Sequence, residues 1–559
     1  MKYTSIKSGS LTLRTGICAL ASLLAVNVLA QNQPADSTMI RTVVVEQEYN
    51  PNIKDATKIN VLPKVADPTV TPNAVQYDTS ISPLGNIPSG TMPAFTGTER
   101  QDKPRVGFLR FGYGNNGNLE TRANYLFLLS DRDRLNLGAS VNGMNGKLTL
   151  PDSDTKWDSR YYRTRAGVDY SHMFNAVNLD LGGHFGLSNF NYLPSTLLDR
   201  QKFMSGDVHI GLQTTDEAFP LQFRGEVNYL YYQRQDFGPD KKMKENIVRT
   251  KADVTGAITE EQLVGIGFEM NNVFYDIEGF DNYTSLELNP YYEWKNDSWR
   301  FHAGAHVDLA TGHGKKLRVA PDVTLEGVFA DKYVFYIRGT GGKMLNDFRR
   351  LEELAPYNSL YGQIAEDSYE QYNASLGLKA SPAPGVWFNV YGGYQDVKDD
   401  LYQSLRVVYP DPDPLANSII TNMLGFDVSD TRNLYVGGQL TYGYKGLLNV
   451  SASAKYQSWK ADKEIALVFK PAITGELVVD VKPIHELGVQ LGYRYVGRDK
   501  VQGTKMDAVS NLFAGANYQL LDNVSVYVKG DNLLNQKYQY HFLYPTQGIN
   551  VVGGVSLRF

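Results

Sequence analysis

Cysteine is almost absent from this chain of 559 residues: the single one is Cys18, inside an amino-terminal run that reads as an export signal. A mature form without it has no disulfide, no thiol nucleophile and no thiolate metal site. An excess of either charge is lacking too. There are 55 lysines and arginines against 60 aspartates and glutamates, a net charge of −5, which argues against a general nucleic-acid binder. After the first thirty residues no stretch approaches roughly 18 uninterrupted apolar residues, so no spanning helix is expected. That absence leaves strands open as a way across a bilayer. In a barrel only every second residue faces lipid, and the mean hydropathy stays low.

The amino terminus carries Lys2, Lys7 and Arg14, then the apolar run Gly16 to Ala30. Val28 and Ala30 stand three and one residues before Gln31, so the expectation is a secretory signal over 1–30, cleaved near Ala30–Gln31. Residues 31–103 are Pro-rich (Pro34, Pro51, Pro63, Pro68, Pro72, Pro83, Pro88, Pro93) with few aromatics. They read as an extended segment that cannot bury enough apolar surface to fold alone. Its one apolar knot is Thr42, Val43, Val44 and Val45. Two readings stand for it: a short strand lying on or inside the rest of the protein, or a strand offered to a periplasmic partner by edge addition.

From residue 104 to 559 the chain alternates apolar and polar residues in segments of about ten to fifteen, separated in turn by tight turns and longer polar loops. Leu434, Val436, Leu440, Tyr442 and Tyr444 share one face; Leu487, Val489, Leu491, Tyr493 and Tyr495 share another. In Trp299 to Leu309 an apolar face opposes Arg300, His302, Gly304, His306 and Asp308. Strands of a soluble sandwich are usually nearer five or six residues, and they hide one face against a second sheet. A single sheet closed in lipid accounts for the length and leaves no edge. Tight turns are expected at 130–133, 174–177, 215–219, 259–262, 295–298, 330–332, 381–385, 444–447, 482–486 and 521–524. They join strands in pairs and, with one strand at each end, predict an all-β transmembrane antiparallel barrel of about 22 strands with both ends at the periplasmic rim. The stretch around 401–430 leaves the count open by two, and 399–431 reads as the longest outer loop.

A barrel of this size is that of outer-membrane transporters rather than porins. The carboxyl end also resembles the TonB-dependent receptor family. The residues that carry the likeness are NLFAGANYQL (511–520), then Gly530, Asn532, Leu533, Leu534, Asn535 and Tyr538, then GGVSLRF (553–559). Upstream, Glu370 and Gly377 stand where the family passes from a long outer loop into a strand. The resemblance implies an outer-membrane receptor and transporter, and it makes Thr42–Val45 a candidate coupling box for the periplasmic TonB protein. Phe559 would be the carboxyl-terminal signal read during barrel insertion. The departure from the family lies in front: residues 31–103 lack the composition and length of its globular plug. A surface lipoprotein is a further candidate partner, the solute is open, and no cofactor is expected.

Candidate chemistry is sparse. His302 and His306, four apart on a strand, are about 13 Å from one another and too distant to ligate one metal together. With Asp308 they read as polar lumenal lining. No nucleophile–base–acid set falls in register, so the chain is not expected to be an enzyme. Tyr357, Tyr361, Tyr369 and Tyr372 surround the outer loop 346–370. They fit either contacts to a ligand or partner, or the aromatic girdle at the lipid boundary. The rival to transport is a non-transporting barrel subunit of a larger envelope complex.

Overall fold

The computed structural model describes residues 105–559 other than 151–154, 194–199, 217–218, 236–241, 277–279, 313–314, 331, 359–365, 409–418 and 502. The export signal, the Pro-rich segment with Thr42–Val45, Tyr361 and the acidic loop tip near 410 lie outside the described residues.

Twenty-two antiparallel strands form one closed sheet, each bonded to its neighbours in chain order. The ring closes where β1 (Gly107–Gly114) pairs with β22 (Asn550–Arg558), Phe111 opposite Val555 and Leu109 opposite Leu557. At the lower rim Gly107 N donates to Phe559 O at 2.7 Å and Phe559 N to Gly107 O at 3.0 Å. The ladder thus continues across the seam to the last residue, as a lipid-embedded sheet without an edge requires.

The alternation expected from sequence sets the two faces. Leu434, Val436, Leu440, Tyr442 and Tyr444 are all exposed, as are Val489, Leu491, Tyr493 and Tyr495. Such continuous apolar exposure around a ring is a lipid-facing belt. The other face points inward and carries cross-strand ion pairs, among them Lys251–Glu269 at 3.0 Å and Arg338–Glu326 at 2.6 Å. All ten expected tight turns join consecutive strands at the rim that also holds both ends of the described chain. The count of 22 stands as expected.

One reading needs correction. Within 399–431, expected as the longest loop, residues 400–408 and 419–429 instead continue the ladder of β15 (Val386–Val408) and β16 (Ile419–Tyr444), with Leu401 opposite Val428 and Gln403 opposite Phe426. The register slips between Val397 and Asp400, where Asp399 takes φ 53°. Leu401 and Tyr402 are adjacent yet both buried. Above the lipid both faces of a strand can be packed, so the period-two signal used to find strands is lost there.

The outer mouth as candidate functional site

Long connections cluster at the rim opposite the tight turns, which is the extracellular rim of such barrels. One of them, between β13 (Tyr333–Met344) and β14 (Ser368–Ala380), is the expected outer loop 346–370. It contains a helix, α1 (Phe348–Leu354). Asp347 caps it, its carboxylate accepting from Arg350 N at 2.8 Å, which satisfies one of the free amides of the first turn. Phe348, Leu351 and Ala355 recur at helical spacing and are all buried. Pro356 then stops the helix from running on.

That apolar face lies on the upper strand ends. Phe348 meets Tyr232 of β7 (Leu221–Gln235) at 5.7 Å and Tyr275 of β9 (Gln262–Tyr275) at 5.8 Å between ring centroids. The same core takes in Trp157, Phe190 and Phe203 from the wall, and Leu401, Leu424 and Phe426 from the raised β15–β16 hairpin. Tyr544, from a short hairpin of 539–541 with 544–545, joins it. Tyr357 lies flat on Tyr544, with centroids 3.6 Å apart and an angle of 8°, and meets Phe190 edge-on at 5.0 Å. Three outer segments and the wall therefore share one apolar core.

Polar anchors fix the helix within it. Glu245 of β8 (Lys242–Ala257) accepts from Phe348 N at 2.8 Å and so occupies a second free amide of the helix start. Tyr232 donates to Glu352 at 2.9 Å, and Arg163 stands 3.8 Å from the same carboxylate. Asn358 is fully buried; its amide donates to Leu351 O at 3.0 Å and Ala355 O at 2.6 Å, a second bond to each of these carbonyls that ties the chain back onto the helix end. Its side-chain oxygen accepts from Arg234 Nη1 at 2.6 Å, and its main-chain oxygen accepts from Nη2 of the same guanidinium. Arg234 is itself buried, over the ring of Phe203 at 4.9 Å. Gln403 Nε2 donates to Leu354 O at 3.3 Å, and Phe542 N donates to Gln403 Oε1 at 3.2 Å, linking the hairpins to the helix. Beside them, burial and the charges of Arg163 and Arg498 push His541 down to about 4.

The tyrosines expected around this loop part company. Tyr357 is inside the shared core. Tyr369 is buried on β14, donating to Asp308 at 2.9 Å beneath the guanidinium of Arg318. Tyr372 is exposed and stacks near Tyr394 at 6.0 Å. His302 and His306 face inward, His302 Nε2 at 3.1 Å from Asp322 and His306 Nδ1 at 2.6 Å from Glu287, and His306 Nε2 also comes within 3.8 Å of the same Asp322 oxygen. Phe559 is exposed beside Tyr125 at the seam, 5.8 Å between rings. Sequence reading missed α1, Arg234, Glu245 and Asn358. The Asp347 cap with the Phe348–Leu351–Ala355 spacing was the available signal for the helix; nothing in the sequence pairs Arg234 with Asn358, 124 residues on.

No family model matches the chain, and no curated protein matches it by sequence. Solved structures do. The ferric enterobactin receptor PfeA of Pseudomonas aeruginosa, as a point variant, aligns over 81% of this chain and 80% of its own, with TM-score 0.62 and 12% identity. The ferric-catecholate import receptor Fiu of Escherichia coli K12 aligns over 82% of each chain, with TM-score 0.59 and 9% identity. A copper transporter, OprC, aligns over 81% of each, with TM-score 0.60 and 13% identity. At these identities the likeness is one of fold, and the fold is that of the TonB-dependent outer-membrane receptor barrel.

Proposed function

We propose that this chain is an outer-membrane receptor and transporter whose outer mouth is held closed by its own inward-folded loops, and that it works without a conventional plug. The observation that carries this is the seating of α1: an apolar face on the wall, with Glu245, Tyr232 and Arg234 anchoring the helix start, side and end. A purely structural barrel needs no such closure, whereas a wide polar lumen would leak without one. The anchors are hydrogen bonds that water can replace, which suits a cover that opens. Energy coupling would run through Thr42–Val45 to the periplasmic TonB protein, and a surface lipoprotein is the candidate partner at the loops. The solute would be one that ordinary porins exclude by size.

Conductance in planar bilayers tests the reading. Full-length protein is expected to conduct little. Replacing residues 346–358 by a Gly-Ser linker, alone or with the chain begun at Pro104, is expected to open a large pore. A folded barrel that stays closed under both changes would favour the non-transporting subunit instead. If deleting the coupling protein leaves solute uptake unaffected, the role of Thr42–Val45 fails while the pore reading survives.

A further inference from the structure

A second group of lumenal side chains lies on three neighbouring strands of the wall. His184 is on β5 (Val177–Asn191), Asp207 and His209 are on β6 (Arg200–Thr214), and Asp169 is on β4 (Lys156–Met173). The register arranges them in two adjacent rows across these strands. In one, Gly167, His184 and Asp207 are partners in turn; in the other, Asp169, Gly182 and His209. Each row therefore holds one glycine, and each imidazole lies over the glycine next to it. A Cβ at Gly167 would stand 2.5 Å from the His184 ring, and one at Gly182 would stand 2.1 Å from the His209 ring. The two rings are nearly parallel, 17° apart, with centroids at 5.6 Å.

The donor atoms converge. His184 Nδ1 is 2.8 Å from Asp207 Oδ2, His209 Nδ1 is 3.9 Å from the same oxygen, and one ligand atom from each residue falls within 4.8 Å of the others. Tetrahedral coordination at about 2.0–2.2 Å places ligand atoms about 3.3–3.6 Å apart, so small side-chain rotations bring these three onto one ion. The other nitrogen of His184, Nε2, is 3.1 Å from Asp169 Oδ1. A carboxylate behind a metal-bound imidazole fixes its tautomer and orientation in this way. Two imidazoles and a carboxylate suit the zinc, nickel and copper class rather than calcium or magnesium. His184 and Asp169 keep 41% and 46% of their side chains exposed, which leaves one side of the group open to the lumen.

We infer that His184, Asp207 and His209 form a binding site for a divalent transition metal inside the barrel, with Asp169 positioning His184 and one coordination position open to water or solute. A metal takes imidazole nitrogen only in its unprotonated form, so affinity falls on acidification. Arg349 of α1 reaches the second oxygen of Asp207 at 3.4 Å, which puts the closure in direct contact with this site.

Calorimetric titration of zinc(II) into the purified full-length barrel in detergent is the test, with the heat-dependent gel shift of folded barrels as the check on assembly. A single ion is expected to bind. His184→Ala with His209→Ala should weaken binding by more than about 100-fold, and Asp169→Asn by about tenfold, the range for the group behind a ligand. His302→Ala with His306→Ala, at the other lumenal pair, should leave it unchanged. Should the double variant fail to assemble, His209→Gln alone must still lower affinity. Binding no tighter than about 1 mM, binding that survives loss of both His184 and His209, or equal loss in the His302 and His306 variant overturns the assignment.

Discussion

The two rims of the barrel are made of the same chain under opposite demands. At the lower rim, connections such as Ser130–Asp133 and Phe174–Val177 close on themselves with local bonds, for example Phe174 N to Val177 O at 2.9 Å. Their side-chain contacts are local too, Phe174 meeting His172 of the adjoining strand end at 4.2 Å between ring centroids. At the outer rim, residues far apart in sequence meet: Arg234 with Asn358, Tyr357 with Tyr544, Glu245 with Phe348. Lower turns only reverse a strand. The outer connections build a small core of their own, and burial there leaves each polar group dependent on a named partner. Damage at the lower rim should therefore stay local, while damage at the outer rim should open the mouth.

The largest expected effect tests that contrast directly. Arg234→Ala strips the partner from two buried oxygens of Asn358 and should weaken closure by about 2–4 kcal/mol. Proteolysis of the connection between β13 and β14 in folded barrels should accelerate accordingly, with a rise in conductance; an unchanged cleavage rate would mean that the anchor is dispensable. Next comes the stacked pair. Tyr357→Ala and Tyr544→Ala, separately and together, should give a coupling energy of about 1 kcal/mol in the same assay. Strict additivity would show that the stack is incidental to closure.

Acidification gives a smaller effect of defined sign. His541 is held down to about 4 in the closed state, below the ordinary imidazole value of about 6.5. A depressed value means that the open state binds the proton more readily, so the His541 contribution to closure is complete above about pH 6.5 and is lost as pH falls towards 4. Cleavage should rise over that window in the native protein, and His541→Leu should flatten that part of the rise. A profile identical in both would remove His541 from the account. Smallest of all is a change at the lower rim. Asp133 accepts from Tyr170 at 2.6 Å and sits at 2.6 Å from His172 Nδ1, part-exposed. Asp133→Asn should leave the melting temperature nearly unchanged and leave conductance alone. A rise in conductance would break the separation of the two rims.

The barrel was legible because lipid imposes a rule on each strand separately. Leu434, Val436 and Leu440 declare their face without reference to any neighbour, and the ten tight turns follow from where the alternation stops. The outer core obeys no such rule. Leu401 and Tyr402 are adjacent and both buried, which hid the raised hairpin, and α1 had to be read from its cap rather than from a period of two. The metal group was hidden for a different reason. Looking along one strand finds His302 and His306 four residues apart, whereas His184 and Asp207 are 23 residues apart in sequence and become neighbours only through cross-strand pairing. Reading it required the register, which sequence alternation leaves undetermined by any even number of residues.

The closed ladder also governs how such a chain can vary. Each strand is bonded on both sides, so inserting or deleting one residue within it would exchange its lipid and lumen faces from that point on. Only the ends of strands and the existing slips, such as those between Glu370 and Tyr372 and between Val397 and Asp400, can absorb a change of length. Both slips lie towards the outer rim. Others, between Val481 and Ile484 and between Gln519 and Leu521, lie at the lower rim, so changes of length are confined to the two rims, while the wall between can change only by substitution.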